Sequence, residues 1–153
     1  MEQLHANPEP PLNLKGQELH LMLALLHAAT RTIRTTEAVL RDHAVALRAS
    51  EWDVLAFLHD LGPMRPSLLI RKCALTASPA TLSTLLTRLE KRGLIRKTPD
   101  ETDTRSILVE VTTEGQDLIA KAWPAIAVKV VAPFNAHFTE QERLTLFEML
   151  SRV

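Results

Sequence analysis

The chain has 153 residues, 46% hydrophobic and 24% charged, with 18 basic and 18 acidic side chains and one cysteine, Cys73. That suits one domain, or two tightly joined parts, with a real core, and it excludes a disulfide framework within the chain. No apolar run approaches the roughly 18 residues of a membrane span, and no charged-then-apolar segment opens the chain, so a cytoplasmic protein is expected.

Residues 1–13, with Pro8, Pro10 and Pro11, read as an extended or disordered arm. From about Gly16 to Leu47 one long helical pattern runs without internal proline or glycine, with Leu19, Met22, Leu26, Ile33, Leu40 and Leu47 among its apolar positions. A helix of roughly 30 residues cannot bury both ends against one small core, so residues 14–48 are expected to pack on a second subunit. Ser50 to Asp53 reads as a capping-box-like start for a helix through Trp52, Val54, Leu55, Phe57 and Leu58 that Gly62-Pro63 ends. Pro66 and Ser67 begin the next helix, to about Cys73.

Residues 78–115 carry the densest punctuation. Ser78 is a good N-cap, and Pro79 suits the first helical position because its missing N–H is not needed there. Leu82, Leu85, Leu86 and Leu89 share one face, opposite the small and polar Ala80, Thr81, Thr84, Thr87, Arg88 and Lys91. Gly93 then closes the helix after two cations. Leu94 to Lys97 and Ile107 to Val111 alternate as short strands around a polar turn from Pro99 to Thr104. A slim helix followed by a hairpin carrying arginine is a winged helix-turn-helix shape, suited to the major groove of duplex DNA and an adjacent minor groove. The zero net charge hides an asymmetry that favours this reading. Between Arg65 and Arg105 there are nine basic and four acidic residues, a balance of +5, and the remainder carries −5.

Thr112-Thr113-Glu114-Gly115 caps a helix to about Val131 that Pro124 should kink or limit, and Thr139 with Glu142 forms a capping box for a last helix striped by Leu144, Phe147 and Leu150. The expected fold is mainly α with a small β-wing. Residues 49–112 form the winged helix-turn-helix lobe, and a helical dimerisation region comes from both termini, residues 14–48 and 113–153.

Over nearly all of residues 17–153 the chain resembles the MarR family of bacterial winged-helix regulators. The matching text is LTRLEKRGLIRK, the turn Asp103-x-Arg105, LVEVTTEG, the Glu51-Trp52-Asp53-Val54-Leu55 segment and the terminal FTEQERLTLFEML. The resemblance implies a homodimer built from the terminal regions, a recognition helix in the major groove and a wing arginine in the minor groove. By position Arg105 is that arginine, with Asp103 holding it by a charge-assisted contact. Ser78, Ala80, Thr81, Ser83, Thr84, Thr87 and Arg88 are the recognition-helix candidates, joined by Arg65, Ser67 and Lys97. Arg88 alone among the helix residues can grip guanine in bidentate fashion, so thymine-methyl packing and groove shape are expected to carry much of the readout. The chain departs from the family in having Thr104 where a second wing arginine is common, and in a link from Leu75 to Ser78 about two residues longer than usual.

Many resembling proteins respond to small aromatic acids held between the first helix and the DNA-binding lobe. Here His27, Thr30, Arg31, Arg34 and Trp52 are the candidate lining, the arginines for a carboxylate and the indole for a ring; the alternative makes Trp52 core and the arginines surface groups. Cys73 lies away from the position of reactive cysteines in the family and reads as structural. The six histidines show no metal spacing, no nucleotide or nucleophile motif occurs, and neither cofactor nor enzymatic activity is expected. The overall expectation is a homodimeric, sequence-specific transcriptional regulator, a repressor released by a small molecule. The rival is a winged-helix module that binds a partner protein instead.

Overall fold

A computed structural model of the chain describes residues 17–73, 75 and 78–152, apart from the side chains of Gln17, Glu18 and Thr104. The expected N-terminal arm and the interior of the Leu75 to Ser78 link lie outside the described residues.

The first helix, α1 (Gln17–Asp42), is long, as its uninterrupted pattern requires, but it stops five residues short of Leu47. Ala44 takes a left-handed conformation at φ 52°. Its N–H bonds the Arg41 carbonyl at 3.0 Å, and the Val45 N–H reaches back to Leu40 at 2.9 Å. This is the double bond of a Schellman stop, formed without the glycine that normally marks one. The reversal drives Val45 and Leu47 into the core. The next helix, α2 (Ala49–Leu61), consequently starts before the expected Ser50 to Asp53 box. The carboxylate that reaches back is Glu51, whose Oε2 accepts the Arg48 N–H at 2.9 Å.

Helices α3 (Pro66–Lys72) and α4 (Pro79–Lys91) follow as expected. Ser78 Oγ accepts the Thr81 N–H at 3.1 Å, and Leu82, Leu85, Leu86 and Leu89 are all buried. At the far end Gly93, at φ +72°, supports another Schellman pair: its N–H bonds Glu90 at 2.9 Å while the Leu94 N–H bonds Leu89 at 3.0 Å.

Strands β1 (Ile95–Asp100) and β2 (Asp103–Val111) pair antiparallel, with Ile95 opposite Val111 and Thr98 opposite Leu108. The hairpin tip is tighter than the expected Pro99 to Thr104 turn and comprises Glu101 and Thr102 alone. Asp100 Oδ1 accepts both the N–H (2.9 Å) and the hydroxyl (2.6 Å) of Thr102, an Asx-type bracket that folds the chain within two residues. Met64, between α2 and α3, bonds Val109 in both directions at 3.0 and 2.9 Å and so fastens the wing to the helices.

Helix α5 (Thr113–Ile126) opens on Thr112, whose Oγ1 accepts the Gly115 N–H at 3.2 Å and donates to the Gly93 carbonyl at 2.6 Å. A side chain at buried Gly115 would run into the Leu94 carbonyl and a Val111 methyl, so glycine allows α5 to start hard against the wing. Pro124 does not stop this helix. A wide π-helical turn at Ala127–Val131 follows instead and leads into α6 (Ala132–Asn135); Pro133, in the first turn of α6, cannot supply an N–H to Lys129, and a wide turn just before it accommodates that mismatch. Helix α7 (Glu140–Leu150) closes the order with its capping box intact, the Thr139 N–H on Glu142 Oε2 at 2.7 Å and the Glu142 N–H on Thr139 Oγ1 at 3.3 Å.

The core is a single cluster. Leu40 of α1, Val54, Leu55 and Leu58 of α2, Leu69 of α3, Leu89 of α4 and Val109 of β2 are fully enclosed, joined by Ile119 and Ile126 of α5. Each such aliphatic side chain contributes roughly 1.5–3 kcal/mol by leaving water. Among the described residues, the N-terminal half of α1 and the whole of α7 contribute nothing buried to it.

Candidate nucleic-acid interface

Helix α4 buries its leucines and turns the opposite face outward. Ser83, Thr84, Thr87, Arg88 and Lys91 line one shallow concavity on that face, and Ala80 and Thr81 are also exposed. The threonine hydroxyls are partly occupied. Thr84 Oγ1 donates to Ala80 at 3.1 Å and Thr87 Oγ1 to Ser83 at 2.9 Å, while Ser78 Oγ is committed to capping and to Thr81 Oγ1 at 2.9 Å. With their protons turned back onto the helix, these groups offer methyls and oxygen lone pairs to a ligand. Of the long cationic donors proposed on α4, Arg88 is half exposed, at 50%, and it ion-pairs with Glu51 at 3.5 Å.

Two further candidates have internal roles. Arg65, the N-cap residue of α3, sends Nε and Nη2 to Asp100 Oδ2, both at 2.7 Å. Hydrogen bonds from Thr102, reinforced by Arg65, hold the Asp100 carboxyl down to about 2. Arg65 therefore bolts the hairpin tip to the start of the helix-turn-helix. Lys97 is tied to Glu90 at 2.6 Å. Its charge is matched within the protein, although it shares a groove with Ser67, Arg71 and Ser83 between α3, α4 and the wing.

At the wing the expected pairing of Asp103 with the Arg105 side chain is replaced by a different arrangement. Asp103 Oδ1 accepts the backbone N–H of Arg105 at 3.2 Å and Oδ2 accepts the Ser106 hydroxyl at 2.7 Å; the nearest cation, at 3.9 Å, belongs to Arg65. Bonds from Ser106 and from the Arg105 N–H lower the Asp103 pKa. The carboxylate shapes the backbone beneath Arg105, whose exposed guanidinium has no partner among the described residues. Asp100, Glu51 and Glu90, which set the cations, were missed in the sequence because their partners lie 7 to 41 positions away. The Asx-forming Asp before Glu101-Thr102 was the one local signal.

Residues 47–107, the helix-turn-helix and most of the wing, match the MarR family. The whole described fold agrees with this. A MarR-family transcriptional regulator of Streptomyces coelicolor, solved in complex with DNA, superposes with a TM-score of 0.75 at 22% identity, over 95% of this chain and 89% of that one. The winged helix-turn-helix region, residues 47–107, is of the MarR family. PecS of Dickeya dadantii, an HTH-type transcriptional regulator, is 34% identical over 110 residues, 70% of this chain and 64% of PecS, so the match leaves about a third of that relative uncovered. The homoprotocatechuate degradative operon repressor of Escherichia coli is 28% identical over 131 residues, 85% of this chain and 84% of the repressor.

Around this MarR-type lobe the five effector candidates do not converge. Trp52 is buried in the core, which leaves it no face for a ligand. His27 and Arg31 do line a cleft of about 590 Å³, but its other wall is Lys129, Phe134, His137 and Phe138, and neither Thr30 nor Arg34 borders it. The cleft therefore lies between α1 and the α6 region, not against the DNA-binding lobe. Among the described residues its lining holds four nitrogen bases and two phenyl rings and not a single carboxylate.

Cys73 is buried. Burial first, and then the nearby Asp53 charge, push its thiol up to about 12. It is protonated and shielded at neutral pH, as a structural cysteine should be. No group of three or more metal-binding side chains occurs among the described residues.

Proposed function

We propose that the chain is a sequence-specific, double-stranded DNA-binding transcriptional regulator that acts as a homodimer. The observation that carries this reading is the joint placement of the small, methyl-rich face of α4 and of Arg105 beside the wing tip, unpaired among the described residues, with the Lys97–Glu90 pair tying α4 to the wing and Arg65 tying the wing to α3. Helix and wing can then address adjacent grooves as a rigid pair. Methyl packing and groove shape supply much of the specificity, and Arg88 the strongest single base contact.

Exposed apolar residues support the homodimer. Leu21 is 64% exposed on α1 and Phe147 74% on α7, beside Met22, Leu26, Leu144 and Leu150. A second copy of the same two segments is a self-complementary cover for them. The regulator is a repressor, as the homoprotocatechuate-operon relative is by name, and a small aromatic anion in the cleft of His27, Arg31, Lys129 and His137 releases it. Such a ligand would meet cations for its acid group and Phe134 and Phe138 for its ring.

Titration of the chain against duplex DNA from upstream of its own gene tests the reading. Binding that weakens with salt is expected, and Arg105→Ala should lower affinity roughly tenfold and flatten the salt slope by about one contact. Absence of specific, salt-sensitive binding would favour a winged-helix protein-interaction module.

A further inference from the structure

Glu51 is a carboxylate only 3% exposed, at the third position of α2. Three groups converge on it from different parts of the chain. The Arg48 N–H donates to Oε2 at 2.9 Å, Arg88 Nη1 lies 3.5 Å from Oε1, and Arg92 Nη1 lies 3.5 Å from Oε2. Arg92 also donates through Nη2 to the Ala46 carbonyl at 2.7 Å. The buried carboxylate thereby joins the loop after α1, the start of α2 and the C-terminal half of α4.

Arg88 is in a particular position within this junction. It borders the groove-facing strip with Thr84, Thr87 and Lys91, and it also lines the cleft that Glu51 floors with Arg41 and Arg48. One side of its guanidinium faces a fixed buried anion and the other faces solvent. An unpaired arginine on an exposed helix samples many rotamers, and those that miss a base edge can still attract any phosphate. Pairing with Glu51 restricts that sampling and offsets charge that would otherwise act on DNA of any sequence.

We infer that Glu51 is a positioning residue that sets sequence specificity, by holding Arg88 in one orientation and by lowering the cationic charge that α4 presents to non-specific phosphates. The inference rests on the reading of α4 as the DNA-contacting helix. It concerns a residue that would not itself touch DNA.

Glu51→Gln isolates the role, because glutamine can still accept the Arg48 N–H at the third helical position while the charge is lost. Affinities for a selected site and for a random duplex are measured across a salt series with the full chain. With Glu51→Gln, affinity for the random duplex should rise and its salt slope steepen by about one contact, while the ratio of specific to non-specific affinity falls roughly tenfold. In an Arg88→Ala background the same substitution should leave discrimination at the Arg88-dependent base pair unchanged, an outcome that a merely structural role for Glu51 would not give. If Arg88→Ala lowers the ratio but Glu51→Gln changes neither ratio nor slope, the positioning role is overturned and the reading of α4 stands. If Arg88→Ala is silent, that reading fails and takes this one with it. Should Glu51→Gln not fold, nitrogen relaxation of the arginine side chains in the wild-type chain decides: an ordered Arg88 in the free protein supports the role, and a freely rotating one overturns it.

Discussion

The winged lobe and the two terminal segments treat their apolar side chains in opposite ways. In the lobe, Val54, Leu55, Leu69, Leu89 and Val109 are sealed in one cluster, and the turns after α1, after α4 and at the wing tip are each bracketed by their own hydrogen bonds. In the N-terminal half of α1 and in α7 the helices are equally well formed and α7 is well capped, yet Leu21, Met22, Leu26, Leu144 and Phe147 face outward. The difference teaches that local helix signals and burial are separate matters. The lobe is complete as one chain, whereas the terminal helices present a surface that only another apolar surface can cover.

The largest effect should come from opening the sealed side. Leu55→Ala is expected to cost about 2–5 kcal/mol in urea unfolding; a loss below about 1 kcal/mol would mean that the lobe is far looser than its packing indicates. Phe147→Glu attacks the open side and should halve the mass seen by light scattering while moving lobe stability by less than about 0.5 kcal/mol. A variant that keeps the wild-type mass would remove α7 from the dimer. Between the two regions, Ala44 holds the stop of α1 in a conformation that glycine adopts without strain, so Ala44→Gly should stabilise the chain by about 1 kcal/mol. An unchanged or lower melting temperature would contradict the strained stop.

The smallest effect belongs to the wing bracket. The Asp100 carboxyl is depressed from 3.8 to about 2. A depressed carboxyl contributes stability that is fully present above its unfolded pKa and is lost as pH falls through the folded one. The wing should therefore loosen between about pH 4 and pH 2 while Asp100→Asn removes that acid dependence, as wing amide signals in NMR would report. Identical acid profiles in the two proteins would show that the bracket does not depend on the charge.

What could be read from the sequence divides along the same lines. Helix α4 was legible because Ser78, Pro79, four leucines and Gly93 state its start, face and stop within sixteen residues. The end of α1 was not, since Ala44 does the work of a glycine and nothing in its identity announces a left-handed residue. The start of α2 was placed late for a related reason: Ser50 looks like a cap, but the residue that closes the box is Glu51, bonding back to an arginine backbone. Of the candidate site, the outward face of α4 and the exposed Arg105 came from local pattern and resemblance. The internal commitments of Arg65 and Lys97 and the relocation of the His27 and Arg31 cleft depend on contacts between distant segments, which periodicity does not encode.

The central claim is that one rigid unit of α4 and wing, doubled by the terminal helices, reads a DNA sequence. Selection of binding sites from a pool of random duplexes, followed by titration of the enriched sequence at several salt concentrations, tests it most directly. The account predicts an inverted repeat whose half-sites are spaced by about one or two helical turns, bound by two chains with an affinity that falls steeply with salt. A pool that enriches no sequence, or a site bound by a single chain with no dependence on salt, would contradict it.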